Sequence, residues 1–353
     1  MKHVDIVVVG AGVAGSIFAA NTDKELQVVV IDKKDHSNVN KGFKKPCGGL
    51  LSVDAQRSLA RLNLTLPLYV LANPQIFAVE TIDEHYKFSR LYQRSYINIH
   101  RHRFDHWLAS LIPNHVDVID NAFVQRIDQQ HDDYVVTYAK NKITHRIACT
   151  SIVGADGASS IVRRYISTKP IHQYLAIQEH VFKKMQKEQY TCYFNKHLTT
   201  SYGWSSYKDD SFIYGIALPL KNAHESFNQF KDMVIKYHPF DAQTHLKEAC
   251  LVNCPTSLHQ LELGKNNILL IGEAAGWISP SSLEGISYAI DSALIASYCV
   301  NQDGVQHKKY RSKSMHLKVK IFLKILKAHV LYNPYLRQLI MRSKIQTITL
   351  FKK

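Results

Sequence analysis

The chain has 353 residues, 46% of them hydrophobic, and 44 Lys and Arg against 29 Asp and Glu give a net charge of +15. That length holds two joined lobes more easily than one core, and no window of about eighteen apolar residues exists, which excludes a membrane-spanning helix. The excess of cations calls for an anionic partner or surface.

Residues 4–31 predict a strand, a glycine turn, a helix and a second strand. The turn reads Gly10-Ala11-Gly12-Val13-Ala14-Gly15. Gly10 lets the chain leave the strand sharply, Gly12 lets backbone come close to a pyrophosphate, and Gly15 lets the helix pack on the sheet. The first N–H groups of that helix, at Gly12, Val13 and Ala14, offer donors and partial positive charge to phosphates. The second apolar run, 28–31, ends at Asp32, followed by Lys33. A carboxylate about twenty residues after the glycines is placed to accept from a ribose hydroxyl. The run 4–9 is too short for the apolar region of a secretory signal.

Residues 36–49 read as a polar, basic loop that passes Lys45 and ends in Pro46-Cys47-Gly48-Gly49. A helix is expected over 104–111, with Phe104, Trp107, Leu108 and Leu111 on its apolar face. Strands are expected over 116–119, 134–138 and 143–148, and a short one over 151–153 enters the turn Gly154-Ala155-Asp156-Gly157. From 171 to 265 Tyr and Phe become frequent and strands lengthen, which predicts a sheet-rich lobe joined by residues 66–100. A buried strand over 267–271 enters Gly272-Glu273-Ala274-Ala275-Gly276, and a helix is expected over 283–300. Beyond 305 the chain reads as helical and basic.

The division expected is therefore 1–65, 101–170 and 266–304 for a dinucleotide lobe, 66–100 and 171–265 for a substrate lobe, and 305–353 for a terminal helical segment. Six cysteines are scattered without a zinc spacing, so no metal is expected and the thiols read as reduced, in a cytoplasmic setting. No nucleic-acid recognition motif is present.

The order GxGxxG, Cys-Gly-Gly, Arg-x-x-Phe-Asp at Arg101, Gly-Ala-Asp-Gly and Gly-Glu-Ala-Ala-Gly resembles the geranylgeranyl reductase branch of FAD-dependent oxidoreductases related to p-hydroxybenzoate hydroxylase. The resemblance covers essentially residues 1–300. It implies an α/β fold: a Rossmann-like FAD-binding domain of the p-hydroxybenzoate hydroxylase-like type, with an inserted sheet-rich substrate domain and a C-terminal helical segment. It implies FAD as cofactor, with NADPH or another external electron donor, and an apolar, isoprenoid-like lipid substrate whose carbon–carbon double bond is reduced.

Residue by residue, the resemblance assigns Gly10, Gly12 and Gly15 to the pyrophosphate and Asp32 to the ribose. Arg101 approaches the FAD phosphates. Asp156 and Gly157 serve both cofactor halves, with Arg163 tied to the nicotinamide donor. Glu273 stands where the branch usually has Asp, facing the flavin ribityl between Gly272 and Gly276. Pro280, Gly285 and Ile286 bring backbone to the isoalloxazine, where a helix from about Leu283 aims its N-terminus. Cys47, Gly48 and Gly49 cover one flavin face, and Tyr202 with Trp204 begins a substrate motif. The chain departs from that motif after Trp204, reading Ser205-Ser206-Tyr207. An aromatic hydroxylase and a non-catalytic flavin-binding protein are the alternative readings. The basic, apolar C-terminal segment adds an anionic membrane surface as an expected peripheral partner.

Overall fold

The computed structural model describes residues 1–36, 38, 45–182, 189–240 and 244–349. Much of the loop expected over 36–49 lies outside the described residues. Among the described residues, two eight-stranded sheets organise the fold. The first has the order Gly264–Lys265, Ile268–Leu270, Ile143–Gly154, Lys2–Val9, Val28–Ile31, Asp117–Ile119, with the hairpin Ala122–Gln130 and Asp133–Lys140 leaving from Ile143–Gly154. Its central strands are Val- and Ile-rich and buried on both faces, as parallel strands between helices must be. The helices Val13–Ala20 and Ile286–Asp303 pack together on this lobe.

Two expected strands, 143–148 and 151–153, are one. Residues 143–149 pair antiparallel with Asp133–Lys140, and residues 147–154 pair parallel with Lys2–Val9. One strand thus serves both the hairpin and the parallel core, and no break is needed between them.

The second sheet runs Thr244–Asn253, Gln173–Phe182, Ser211–Leu218, Gly203–Lys208, Tyr190–Phe194, Ile76–Asp83, Phe88–Asn98, Leu50–Leu51. The 171–265 region also contains a helix that the sequence reading missed, Ala223–Tyr237. Phe227, Phe230, Met233 and Val234 recur at helical spacing and cover one face of the sheet, against Tyr193, Phe212, Tyr214 and Ile216. The opposite face presents Tyr190, Trp204 and Ala217, with Cys192 and Tyr202 beside them.

Glu179 anchors this sheet. It is buried, and it accepts from Lys231 at 2.9 Å, Thr244 at 2.8 Å and the Tyr214 hydroxyl. Burial alone would raise its pKa, but these donors outweigh it and hold the carboxyl at about 2, below its usual 4.5. A depressed carboxylate stabilises the fold above its unfolded pKa, and that contribution fades as pH falls toward 2. Between pH 7 and pH 3 the wild type should lose about 2 kcal/mol that Glu179→Gln does not. Urea midpoints at the two pH values check this; an equal loss in both proteins removes Glu179 from the acid response.

The C-terminal segment forms the helices His307–Lys313, Met315–Tyr332 and Pro334–Arg342. Leu317, Ile321 and Ile325, four residues apart, join the core of the first lobe. Asn333 ends one helix and caps the next, its side chain accepting from Tyr335 N at 3.0 Å and Leu336 N at 3.2 Å, with Pro334 at the first helical position. From the last helix, Arg337 reaches Asp83 of the second sheet at 2.8 Å, both buried. The terminal helices therefore bind to both lobes.

Candidate functional site

Parallel strands that end in register bring their following turns to one edge. Val9 lies beside Ile31 and beside Gly154, and Leu270 lies beside Gly154. The Gly10 turn, Asp32, the Gly154 turn and the Gly272 turn consequently meet at the carboxyl end of the sheet, where dinucleotides bind in such folds.

The glycines divide into two kinds. A Cβ on Gly15 would lie 1.8 Å from Gly10 O, and one on Gly10 would lie 2.7 Å from Ala155 O. These positions exist for chain packing. A Cβ on Gly12 or Gly157 would meet no described atom within 4 Å. Both glycines line a cavity of about 900 Å³, with Val13, Ala14, Asp32, Lys33, Lys45, Arg101, Asp156 and Glu273. Gly12 precedes the helix Val13–Ala20, whose first turn carries no side-chain cap. Open space, uncapped helical N–H groups and a carboxylate at the far end fit an adenine dinucleotide's pyrophosphate and ribose.

Charge in this wall is arranged in networks. Asp32 is buried, which works against its ionisation, yet His36 Nε2 at 2.8 Å and nearby Lys34 hold its carboxyl below the usual range. Asp105 takes two cations, Lys34 Nζ at 2.6 Å and Arg101 Nε at 2.8 Å. Burial opposes ionisation here too, but the two cations keep Asp105 charged well below the usual carboxylate range. Arg101 also reaches Cys47, so its guanidinium stands at the Cys-Gly-Gly turn as well as on the wall. Lys45 pairs with Glu273, whose other oxygen accepts from Asn253 N at 3.0 Å.

Two of the expected residues are held by hydrogen bonds within the chain. Asp156 lines the cavity but spends its carboxylate on Ser160 Oγ at 2.5 Å and Ile161 N at 2.7 Å, capping the turn. Arg163, expected near the nicotinamide donor, is buried behind the wall and donates to Ala274 O at 3.2 Å and Gln260 O at 2.6 Å. Its neighbour Arg164 lines the cavity instead.

The turn at Pro46 to Gly49 sits between the lobes because Leu50–Leu51, directly after it, joins the second sheet beside Phe88–Asn98. Gly49 has φ +68°, and a Cβ there would lie 2.3 Å from both Ile99 O and Lys208 Nζ. Lys208 bonds Ile99 O, and burial draws its ammonium down to about 8, with Cys47 and Asp209 pulling the other way. Cys47 Sγ accepts from Gly49 N at 3.4 Å. Cys250 donates to Pro46 O at 3.6 Å, and burial pushes its thiol up to about 11.

Across from the turn stands the open face of the second sheet. Strand alternation sends Tyr190, Cys192 and Phe194 to the cavity, while Tyr193 goes to the helix-covered face. Tyr202 and Trp204 line the same wall with ring centroids 6.1 Å apart, and a Cβ on Gly48 would lie 3.8 Å from Trp204 Nε1. Tyr202 is fixed by donating to Ser282 O at 2.7 Å.

The helix expected from 283 begins at Ile286. Glu284 caps it, accepting from Ser287 N and Oγ at 2.8 Å each, and Leu283 takes φ +52° before it. Gly285 and Ile286 line the cavity. Gly15, Gly272, Gly276 and Pro280 stand behind the lining; Pro280 O accepts from Tyr332 at 3.3 Å. Lys34, Asp105, Tyr190 and Cys192 also line the cavity, as do Lys324, Lys327, Val330, Leu331 and Ile340 from the terminal helices, places not expected for them from the sequence. Asp105 had a signal, four residues after Arg101 on one helix.

Among the described residues no three His, Cys, Asp or Glu side chains gather as a metal site requires. No family model matches the chain. Protein CbrA of Escherichia coli strain K12 is 42% identical over 354 aligned positions, covering 100% of both chains. A geranylgeranyl bacteriochlorophyll reductase-like protein from Thermoplasma acidophilum superposes with TM-score 0.80 at 18% identity, covering 96% of this chain and 91% of that one. The flavin-dependent brominase Bmp2 superposes with TM-score 0.71 at 16% identity, covering 97% and 93%. These likenesses show the fold, the Rossmann-like α/β architecture of the p-hydroxybenzoate hydroxylase type.

Proposed function

The chain belongs to the CbrA family, and from the cavity's construction and the fold it shares with a geranylgeranyl bacteriochlorophyll reductase-like protein we propose that it is an FAD-dependent oxidoreductase that saturates a carbon–carbon double bond in an apolar, isoprenoid-like substrate. One observation carries the reading: a single cavity joins the dinucleotide cradle at Gly12 and Asp32 to the aromatic wall of Tyr190, Tyr202 and Trp204, with the Cys47–Gly49 turn between them. FAD, when bound and reduced by NADPH or another external donor, supplies hydride to one carbon of the double bond.

The chain's own residues do the rest. Gly12, Val13 and Ala14 present backbone N–H groups to the phosphates. Lys45 and Glu273 stand where the cradle turns toward the second lobe, each fixed by the other. Gly48, without a side chain, lets the turn come close to Trp204, where an added Cβ would lie 3.8 Å from the Trp204 ring nitrogen. Tyr190, Tyr202 and Trp204 give the alkene an apolar wall beside the turn. Cys47, on the Arg101 side of the turn, is the group placed to pass a proton to the second carbon.

The test is anaerobic. The reduced protein, mixed with prenyl lipids, should reoxidise and yield saturated product. Cys47→Ala should retain FAD and lose about 100-fold or more in product formation. Oxygen-dependent turnover that places an oxygen atom in the product would establish the hydroxylase reading instead. No ligand effect on flavin oxidation state would leave a binding protein.

A further inference from the structure

From Gly304 to the last residue the sequence contains 13 Lys and Arg and no Asp or Glu. In the same stretch the helices Met315–Tyr332 and Pro334–Arg342 each bury one narrow stripe. Leu317, Ile321 and Ile325 face the core in the first, and Arg337 and Met341 face it in the second. Their outer faces are also apolar. Val319, Phe322, Leu323 and Leu326 are exposed on the first helix, and Tyr335, Leu336, Leu339 and Ile340 on the second. Leu323 is 57% exposed and Leu339 65%. Ile345 and Ile348 extend the surface along the segment that meets Tyr92 of the second sheet. Scattered apolar residues are ordinary on a protein surface, but their concentration on the outer sides of two adjoining helices and the segment that follows marks an interaction site.

Two further features say what covers it. The border is cationic: Lys324, Lys327, Arg342 and Lys344 lie among or beside these residues, and Arg94 faces Lys327 from the second sheet. The nearby carboxylate Asp54 faces inward to Lys320 at 3.2 Å. Helices with an apolar outer face and a cationic border match the interface of an anionic bilayer. The surface is also continuous with the cavity. Lys324, Lys327, Val330, Leu331 and Ile340 line it, so Ile340 belongs to both. A water-soluble ligand would gain nothing from a mouth bordered by exposed leucines, whereas a lipid could pass from bilayer to cavity without crossing water.

We infer that the helices Met315–Tyr332 and Pro334–Arg342 dock the protein on an anionic lipid bilayer and turn the cavity mouth toward it. Among the described residues no helix is long and apolar enough to cross a membrane, so the contact is peripheral. The passage of substrate through this mouth rests on the function proposed above; the docking does not.

The experiment is vesicle co-sedimentation of the full chain. Phosphatidylcholine vesicles are compared with phosphatidylcholine–phosphatidylglycerol vesicles at low and high salt. Binding should favour the anionic vesicles and weaken as salt rises. Arg342→Glu with Lys344→Glu should weaken it about fivefold or more per cation. Leu323→Ser, Leu326→Ser and Leu339→Ser together should weaken it about tenfold or more, with circular dichroism unchanged because these side chains are exposed. Absent binding, equal binding to both vesicle types, or indifference to both sets of substitutions overturns the inference. So does light scattering that finds a lipid-free dimer dissociated by the leucine variants, since a second copy would then own the face. Loss of docking with reduction of detergent-dispersed prenyl lipid intact would sink the inference and spare the proposed function. Docking without reduction of any prenyl lipid would do the reverse.

Discussion

Gly12→Ala should leave the fold intact and strip the protein of flavin, while Gly15→Ala, three residues later, should cost the fold itself. The two glycines belong to one motif, but their surroundings differ. A Cβ on Gly12 meets no described atom within 4 Å, and the residue has extended backbone angles that alanine adopts freely. The change in folding stability should stay within about 0.5 kcal/mol. Under the proposed function the methyl group would occupy the space for the pyrophosphate at the helix N-terminus, and FAD affinity should fall on the order of 100-fold, the loss of one or two charge-assisted hydrogen bonds. A Cβ on Gly15 would lie 1.8 Å from the carbonyl oxygen of Gly10. Backbone cannot rotate away as a side chain can, so the strand, turn or helix must shift, at a cost of more than about 3 kcal/mol. Thermal melts of flavin-free protein and flavin absorbance after gel filtration separate the outcomes. A melt of Gly12→Ala lowered as far as that of Gly15→Ala, or undiminished FAD in Gly12→Ala, would contradict this division of labour.

The second large effect is expected at Asp105. This carboxylate is about 1% exposed and holds the two cations Lys34 and Arg101. Asp105→Ala leaves both charges in a dry wall without their partner, and removing one member of a buried ionic set typically costs about 3–5 kcal/mol. Urea unfolding of the flavin-free protein measures it. Lys34→Met in the Asp105→Ala background should recover part of the loss, because one stranded charge is then gone. Additive losses would show that Asp105 matters for packing rather than for the pair. Arg101 also loses its tether, so under the proposed function turnover with prenyl lipid should fall in the variant even where FAD is saturating.

How much of this was legible in the sequence varies with how far apart the interacting residues lie. The Gly10 turn and Asp32 are legible because their requirements are local. A close approach, a turn off a strand and a helix N-terminus are set by residue types within one βαβ unit. The helix Ala223–Tyr237 was equally local in its 3.6-residue spacing, yet the abundance of aromatic residues around it pointed to strands. The start of the last cofactor-lobe helix depended on Glu284, whose carboxylate claims Ser287 N and so moves the beginning to Ile286.

The sequence by itself determined the Rossmann-like lobe, its glycine turns, the acid after the second strand and the cationic, carboxylate-free end of the chain. Each follows from side-chain chemistry acting on neighbours along the backbone. Only the tertiary structure decided which face of the second sheet looks at the cavity. A strand's alternation defines two faces, and it took Ala223–Tyr237 covering one of them to leave Tyr190, Cys192 and Trp204 on the other. Only the tertiary structure paired Lys34 with Asp105, 71 residues away, and turned Arg163 from the cavity to two carbonyls behind it. It also brought Ile340 and Lys327 to the cavity mouth, because Asp83 and the core of the first lobe hold the terminal helices across both sheets. Long-range contacts of this kind depend on packing geometry that no single stretch of chain encodes.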